Sequence, residues 1–338
     1  MTTAKFGGTA TNANNLKYLI SRVTDNVGAV VVSACGRDFD GDEKVTDLLS
    51  AYFDSRSDAL WQQICDKFRR LCEVNAVCFD VDRALGKAKA DIALFDKAYC
   101  LSVGEELTAK IVACALARRY VEAANYVVFR DDGLLDEAET ERRIAADLAG
   151  QRFVVGGFYG ATKDGQRMTF ARGGGDTSGA IFAAFSGATL YENFTDVDGV
   201  YSANPNKVFC PVLMRQISYG QMRLLSTFGA EVLHPDSVRF AQKYGVPVAV
   251  RNFYGADNGT TVGNAPCALP LVGVTSRRCG GGYVTYALHN LGCGVTKVAA
   301  KLCETHGQYV TRVSCDKTLL VVRSAVDLTN AVYRCFDL

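Results

Sequence analysis

The sequence predicts an α/β fold with an open, mainly parallel sheet and helices on both faces, followed by a smaller α+β module. Apolar runs typical of strands buried on both faces alternate with segments of helical periodicity. Glycine-rich turns directly follow several of these runs, as they do at the carboxyl ends of parallel strands. Because 338 residues exceed the usual size of one domain, we expect two domains, residues 1–263 and residues 267–338.

The N-terminal segment predicts a strand, a glycine turn, a helix and a second strand. Ala4–Phe6 is the first strand, and Gly7–Thr9 is the turn. Apolar residues at helical spacing over residues 16–23 predict the helix. Ala29–Ser33 is a continuous apolar run, which predicts a strand buried on both faces of a parallel sheet.

A long helical region is expected after this strand. The charged segment 36–44 predicts a mobile loop, and the next helix begins near Thr46. Residues 58–123 are rich in Ala, Leu, Lys and Arg, which predicts two or three helices, with a new helix starting at Ser102–Leu107.

The chain then returns to alternating strands and helices. Tyr126–Arg130 predicts a third strand, Glu137–Leu148 a charged helix, and Phe153–Val155 the strand that leads to a glycine turn. This alternation favours an open sheet in which ligands gather at the carboxyl ends of the strands.

The glycine turn is residues 172–176, Arg-Gly-Gly-Gly-Asp, and it opens a helix that runs to Phe185. Three consecutive glycines let backbone N–H groups approach a ligand, and a helix N-terminus favours anions. Asp176, Thr177 and Ser178 are candidate N-cap residues. The turn matches neither a Walker loop nor a Gly-x-Gly-x-x-Gly fingerprint. The alternative is an ordinary tight turn between a strand and a helix.

The C-terminal half predicts further elements and a small module. Asp198-Gly199 predicts a hairpin turn. Helices are expected at Ser218–Leu225 and from Asp236, and a strand at Val246–Arg251. After Pro266 the order β-α-β-β-α is typical of a ferredoxin-like module that lacks its final strand. Its predicted elements are Leu271–Val274, Tyr283–Leu291, Tyr309–Val313, Leu319–Val322 and Ala325–Phe336.

Composition excludes several classes of protein. The formal net charge of +1 gives no basis for predicting a nucleic-acid or membrane partner. No signal pattern or apolar run of membrane-spanning length is present, so we expect a soluble, cytoplasmic protein. The 13 cysteines form no Cys-x-x-Cys pair, which favours buried, reduced thiols over a protein-held metal site.

A lysine after a strand and an Arg-Gly-Gly-Gly-Asp turn suit a reaction whose nucleophile is already ionised. A substrate carboxylate, with a pKa of about 4, is charged at neutral pH. Phosphoryl transfer depends mostly on positioning and charge neutralisation. Lys5 beside Gly7-Gly8 could neutralise charge on the phosphoryl oxygens. Asp176 could hold Lys5, and Arg172 could clamp a carboxylate. An ordinary surface lysine is the alternative for Lys5.

Four short segments occur in an order that resembles aspartate kinases of the amino-acid kinase superfamily, over residues 2 to 262. They are Lys5-Phe6-Gly7-Gly8-Thr9, Arg172-Gly173-Gly174-Gly175-Asp176, Thr195-Asp196-Val197-Asp198-Gly199-Val200-Tyr201 and Val232-Leu233-His234-Pro235. The resemblance implies ATP-dependent phosphorylation of the side-chain carboxylate of L-aspartate to 4-phospho-L-aspartate. This reaction is the first step toward lysine, threonine and methionine.

The resemblance also implies roles for individual residues. The catalytic residues would be Lys5 and Asp176. The substrate-binding residues would be Ser33, Thr46, Glu105, Arg172 and Gly175. The ATP-binding residues would be Lys5, Gly7, Gly8, Thr195, Asp196, Tyr201 and Lys207. Magnesium would enter with the nucleotide, held largely by phosphates and water. For Glu105, a first-turn carboxylate favoured by the helix dipole is the alternative.

The sequence departs from the family pattern at three places. Gly175 replaces the usual serine and removes a hydroxyl from the substrate pocket. Asn206 stands where relatives often carry an ATP-contacting arginine, which leaves only the displaced Lys207. Glu231 replaces a common lysine. These departures keep two alternatives open, namely a related carboxylate kinase with altered substrate choice and a catalytically inactive amino-acid-sensing protein.

The C-terminal segment resembles an ACT module more weakly. Relatives usually carry two such modules, and the residues after Pro266 suffice for only one. The resemblance implies a homodimer and a lysine or threonine effector.

Overall fold

A computed structural model describes residues 1–171, 173–230, 232–255, 258–269, 271–289, 294–315 and 319–336. The helices are α1 Leu16–Arg22, α2 Val45–Ser55, α3 Asp58–Val74, α4 Val81–Ile92, α5 Lys97–Ala115, α6 Glu137–Asp147, α7 Gly174–Phe185, α8 Tyr219–Thr227, α9 Pro235–Lys243, α10 Gly294–His306 and α11 Thr329–Arg334. The strands are β1 Thr2–Phe6, β2 Val27–Val32, β3 Arg119–Val121, β4 Val128–Phe129, β5 Phe153–Gly156, β6 Tyr159–Thr162, β7 Arg167–Thr169, β8 Tyr191–Thr195, β9 Gln216–Ser218, β10 Val248–Asn252, β11 Thr260–Gly263, β12 Leu271–Cys279, β13 Gly282–His289, β14 Val310–Cys315 and β15 Leu319–Ser324.

The chain divides into two compact units. The first unit comprises Met1–Asp196 and Phe240–Asp257, and the second comprises Val197–Arg239 and Asn258–Leu338. The predicted boundary between residues 263 and 267 stays a prediction.

Six strands of the first unit form a parallel sheet in the order β3-β5-β2-β1-β8-β10. All six residues of β2 are buried, as its continuous apolar run requires. Apolar residues of α1 to α5 form one core cluster with Phe6 and Val30. On the opposite face, Phe182 of α7 packs edge-on against Phe153, with ring centroids 5.9 Å apart. The predicted parallel sheet with helices on both faces is confirmed.

The helical region between β2 and β3 contains three long helices, α3 to α5, after α2, so the prediction for residues 58–123 is confirmed. The predicted helix start at Ser102 is wrong, because Ser102 lies inside α5. Its hydroxyl donates to the Tyr99 carbonyl one turn back at 2.7 Å, which leaves it unavailable as a cap. Glycine is required at position 104 inside this helix, because a Cβ atom added there would lie only 2.9 Å from Ala34 Cβ.

The second unit contains an antiparallel sheet in the order β12-β13-β15-β14. Side chains of α10 and α11, including Val298, Leu302 and Val332, form a core with Leu320 and Val322 of this sheet. The order β13-α10-β14-β15-α11 is the split β-α-β pattern of a ferredoxin-like module. Strand β12 pairs with β13 on the side opposite to β15.

Two local predictions in the second unit are wrong. Residues 282–289 form strand β13 instead of a helix, because Gly280 and Gly281, at φ of 55° and 85°, make the turn that pairs β13 with β12. Asp198-Gly199 does not connect a hairpin. The chain bends there instead, and Tyr201 forms an antiparallel bridge with Leu213.

Cysteine burial follows the prediction only in part. Among the cysteines that the structure describes, six are buried and five are exposed. The buried ones are Cys35, Cys65, Cys72, Cys100, Cys267 and Cys335, whereas Cys78, Cys114, Cys210, Cys279 and Cys303 are exposed. Among the helices that the structure describes, none has the length and apolar character needed to cross a bilayer.

Candidate active site

Several predicted residues of the first unit lie where parallel strands end. Gly7 follows β1, Ser33 follows β2, and Asp196 follows β8. Because these strands are parallel neighbours, their carboxyl ends meet at one edge of the sheet. The sheet topology therefore brings together residues that are far apart in sequence.

Lys5 is held by Asp176 at this edge. The Lys5 ammonium Nζ lies 2.7 Å from Asp176 Oδ1, and the two side chains are only 12% and 16% exposed. Asn193 Nδ2 donates to the same carboxylate oxygen at 3.0 Å. Lys5 and Asn193 are register partners on β1 and β8, so their side chains share one face of the sheet. The predicted contact between Lys5 and Asp176 is present.

The glycine turn begins α7 earlier than predicted. Gly173 is the N-cap residue, with φ of 75°, a left-handed conformation that favours glycine. Asp176 lies in the first turn, so its predicted capping role is wrong. Ser178 is not the cap either, because its hydroxyl accepts a hydrogen bond from the Phe158 N–H at 2.9 Å. Arg172, the predicted carboxylate clamp, lies outside the described residues.

Close approaches at two glycines define the space beside Lys5. A Cβ atom added to Gly175 would lie 3.2 Å from Ser33 Oγ and 3.6 Å from Lys5 Cε. A Cβ atom added to Gly7 would lie 3.7 Å from Lys5 Nζ. Thus Gly7 and Gly175 lie beside the lysine and Ser33 lies beside Gly175, which belongs to the first turn of α7.

Gly8 joins this region to the loop that follows β2. Its carbonyl accepts hydrogen bonds from the Gly36 N–H at 3.1 Å and the Thr11 hydroxyl at 3.1 Å. A Cβ atom added to Gly36 would lie 2.3 Å from the Gly8 carbonyl oxygen, so only glycine permits this approach. The turn after β1 and the segment after Ser33 are therefore packed together.

Glu105 is a buried carboxylate with unused hydrogen-bonding capacity. The residue is 4% exposed, and its Oε2 atom has no hydrogen-bond partner. Burial raises the pKa of this carboxyl from 4.5 to about 8, against a smaller lowering by the backbone amide of Ala34. Because Glu105 lies inside α5, the alternative of a first-turn carboxylate is wrong.

Thr46 lies in the first turn of α2. The residue before it, Val45, packs closely against the residue before Glu105, because a Cβ atom added to Gly104 would lie 3.2 Å from the Val45 side chain.

The predicted nucleotide residues are distributed over both units. In the first unit, Thr195 Oγ1 donates to Asp196 Oδ1 at 3.2 Å. In the second unit, the Tyr201 hydroxyl donates to Asp198 at 3.1 Å. Lys207 Nζ lies 2.7 Å from Asp327 Oδ2 and therefore has an acidic partner already. Hydrogen bonds from Lys207 and Thr329 outweigh the effect of burial and lower the pKa of Asp327 to about 2.

Three residues that bond to α7 close to the glycine turn are not identified from the sequence. Asn193 is a polar residue in a buried strand, where it is only 1% exposed. A polar side chain buried in this way requires a hydrogen-bond partner, and this is the signal in the sequence that could have identified it. The Tyr191 hydroxyl donates to the Asp176 carbonyl at 3.1 Å. Phe158 has φ of 75°, which is rare for a residue with a Cβ atom, and nothing in its local sequence indicates this.

Comparison with known proteins identifies the family. The model of the amino acid kinase family matches residues 2–252, which include Lys5, Glu105 and Asp176. The chain belongs to the amino acid kinase family. Its match to aspartokinase 3 of Bacillus subtilis (strain 168) is 29% identical and covers 97% of this chain and 79% of that protein. Its match to an aspartate kinase of Pseudomonas fluorescens (strain SBW25) is 36% identical and covers 48% of this chain and 41% of that protein.

Solved structures agree with this amino acid kinase assignment. The crystal structure of Clostridium acetobutylicum aspartate kinase aligns with a TM-score of 0.78 and 26% identity, over 100% of this chain and 81% of that chain. Escherichia coli aspartokinase III, solved with aspartate and ADP, aligns with a TM-score of 0.72 and 21% identity, over 99% of this chain and 83% of that chain. The second likeness concerns the fold alone.

Proposed function

We propose that this amino acid kinase is an aspartate kinase. It transfers the γ-phosphoryl group of ATP to the side-chain carboxylate of L-aspartate, giving 4-phospho-L-aspartate and ADP, the first step toward lysine, threonine and methionine. The observation that carries this proposal is the 2.7 Å pair of Lys5 and Asp176 beside the glycine turn. The match over the whole of this chain to an aspartate kinase supports it.

The site supplies charge stabilisation without needing a general base. An aspartate side chain is ionised at neutral pH, so its oxygen attacks the γ-phosphorus directly and the bond to the β-phosphate oxygen breaks. Lys5 neutralises the charge that develops on the phosphoryl oxygens, and Asp176 with Asn193 fixes the position of its ammonium group. Amides of the glycine turn contribute further donors.

Glu105 and Arg172 are proposed to recognise the two backbone groups of free aspartate. The unpartnered Oε2 of Glu105 fits the substrate ammonium group, because a buried carboxylate gains most from a cationic partner. Arg172 is proposed to bind the α-carboxylate. Ser33, Thr46 and Gly175 line the remaining substrate pocket in this proposal.

The nucleotide is proposed to contact Gly7, Gly8, Thr195, Asp196, Tyr201 and Lys207. Magnesium would neutralise the phosphates, and it would be held largely by phosphate oxygens and water. Among the residues that the structure describes, no group of three or more His, Cys, Asp and Glu could hold a metal ion.

A coupled assay of ADP release tests this function. We expect turnover that depends on aspartate and exceeds that with glutamate and other amino acids. Faster turnover of another acid would favour the related carboxylate kinase that Gly175 suggests. Absence of turnover, together with amino-acid binding and no MgATP binding in calorimetry, would favour the sensor alternative.

The C-terminal sheet of the second unit is proposed to be an ACT module that pairs between two copies of the chain. Its ferredoxin-like order supports this, and lysine or threonine is the proposed effector. An unchanged rate in millimolar lysine and threonine would contradict the regulatory part. A monomer in light scattering would contradict the homodimer.

Gly175 is expected to control the fit of the substrate. Gly175→Ala places a methyl group 3.2 Å from Ser33 Oγ, closer than most carbon contacts, so a neighbour must move. We expect the KM for aspartate to rise about threefold to tenfold, since small displacements of reacting groups reduce productive binding. Gly86→Ala in α4 is the control, because its Cβ meets nothing within 4 Å. Equal KM values for both variants would contradict this role.

A further inference from the structure

The loop of residues 36–44 connects two parts of the proposed substrate pocket. It follows Ser33 and leads into α2, whose first turn contains Thr46. At its start, the Gly36 N–H donates to the Gly8 carbonyl at 3.1 Å. At its end, the Val45 N–H donates to the Cys35 carbonyl at 3.4 Å. The path of this loop therefore affects the turn after β1 as well as Thr46.

Two aspartates fold the loop onto itself and onto its neighbours. Asp42 Oδ2 accepts from the Asp38 N–H at 2.8 Å, and Asp42 Oδ1 accepts from the Glu43 N–H at 2.9 Å. Asp38 Oδ1 accepts from the Ala13 N–H at 2.8 Å, which ties the loop to the segment before α1. These charge-assisted bonds hold a glycine-containing, charged loop in one conformation.

A buried lysine completes this arrangement. The Lys67 side chain of α3 is 9% exposed, and its ammonium group bonds the same Asp42 Oδ2 that accepts from Asp38. A buried ammonium group needs a partner, because its loss of hydration is otherwise uncompensated. The pair also anchors the loop, because the Asp42 side chain, 16% exposed, is bonded to a residue of α3. The hydrogen bond from Lys67 also lowers the pKa of Asp42, although burial opposes this.

We propose that Asp42 and Lys67 are positioning residues for the amino-acid substrate. They act through the 36–44 loop, by fixing the backbone that runs from Gly8 and Ser33 to Thr46, and neither residue touches the reacting atoms. This inference rests on the proposed function. It assigns a role in substrate binding to a charged loop and a buried ion pair that the proposed reaction does not itself use.

The test uses Asp42→Asn, Lys67→Met and the double variant in the full chain. We expect each single variant to raise the KM for aspartate about tenfold with a smaller change in kcat, and to lower Tm. The double variant removes the unpaired charge, so its Tm should recover while its KM stays raised. If the KM recovers together with Tm, or all three KM values stay within twofold of the parent, the proposal is overturned.

A matched control is an ion pair between α3, the helix that contains Lys67, and α4. Asp58 and Lys89 form an ion pair with side chains 89% and 43% exposed, far more than those of Asp42 and Lys67. The double variant Asp58→Asn with Lys89→Met should leave the KM for aspartate within twofold of the parent, since surface pairs contribute little.

Hydrogen–deuterium exchange separates this inference from the proposed function. In Asp42→Asn, one of the two carboxylate oxygens that accept from the Asp38 and Glu43 N–H groups becomes an NH2 donor, so peptides covering residues 36–49 should exchange at least about fivefold faster. If the parent does not turn over aspartate, the proposed function fails, and hydrogen–deuterium exchange alone tests whether Asp42 and Lys67 fix the 36–44 loop. Unchanged exchange in that segment overturns the loop-positioning role whatever the activity.

Discussion

Lys5→Met is expected to lower kcat for aspartate phosphorylation about a thousand-fold, while ATP binding weakens much less. The Lys5 ammonium group, held 2.7 Å from Asp176 and largely shielded from water, is the cation placed to neutralise charge that grows on the phosphoryl oxygens. Removing a preorganised group of this kind costs about a hundred-fold to a thousand-fold or more in rate. Steady-state ADP release and calorimetric MgATP binding measure the two effects separately.

Lys17→Met is the matched control for this change. Lys17 is exposed on α1, and its ammonium lies 5.1 Å from the Tyr18 ring centroid, so kcat should stay within twofold of the parent. A Lys5→Met protein that folds and retains a tenth or more of the parent kcat would contradict the assigned role.

Aspartate is expected to bind more tightly as pH rises from 6 to about 8, by about tenfold per pH unit. Burial raises the pKa of Glu105 to about 8, so below that pH the ligand-free protein holds the carboxyl in its neutral form. Pairing with the substrate ammonium group requires the ionised form, and binding must therefore release a proton. The pH series is measured by calorimetry in buffers of different ionisation enthalpy, which also counts the released protons.

Glu105→Gln should remove this pH dependence and weaken aspartate binding at pH 8 about a hundred-fold. Glu141→Gln, on the exposed face of α6, is the control and should retain it. Parallel pH profiles for the parent and Glu105→Gln would contradict the assignment of Glu105.

The same carboxyl predicts how stability depends on pH without substrate. Between about 4.5 and about 8 the native state retains a proton that the unfolded chain has lost. The free energy of unfolding should therefore fall as pH rises through this range, and Glu105→Gln should abolish that contribution. Thermal denaturation of both proteins over the pH series measures it.

Strands buried on both faces could be predicted because they consist of continuous apolar residues. Every residue of β2 is apolar or glycine, a composition that suits neither an exposed strand nor an amphipathic helix. Lys5 and Asp176 were identified from their sequence context. Their contact requires β1 and α7 to meet, which the parallel sheet accomplishes.

Strand β13 shows where local sequence fails. Its apolar and aromatic residues suit a short helix as well as a strand, and pairing with both β12 and β15 decides in favour of the strand. Glycines at positive φ then make the turn that a helix would not need. Interactions between distant residues overcame a weak local preference.

The amino-acid sequence alone determined the parallel sheet, the glycine turn and the family, because these depend on residue types at short spacing. Tertiary structure decided which side chains meet. Asn193 joins Lys5 at Asp176, Glu105 becomes a buried carboxylate with a raised pKa, and Lys67 reaches Asp42 across the fold. The physical reason is that burial and electrostatic partners belong to the packed chain, whereas periodicity and turn chemistry belong to each short segment.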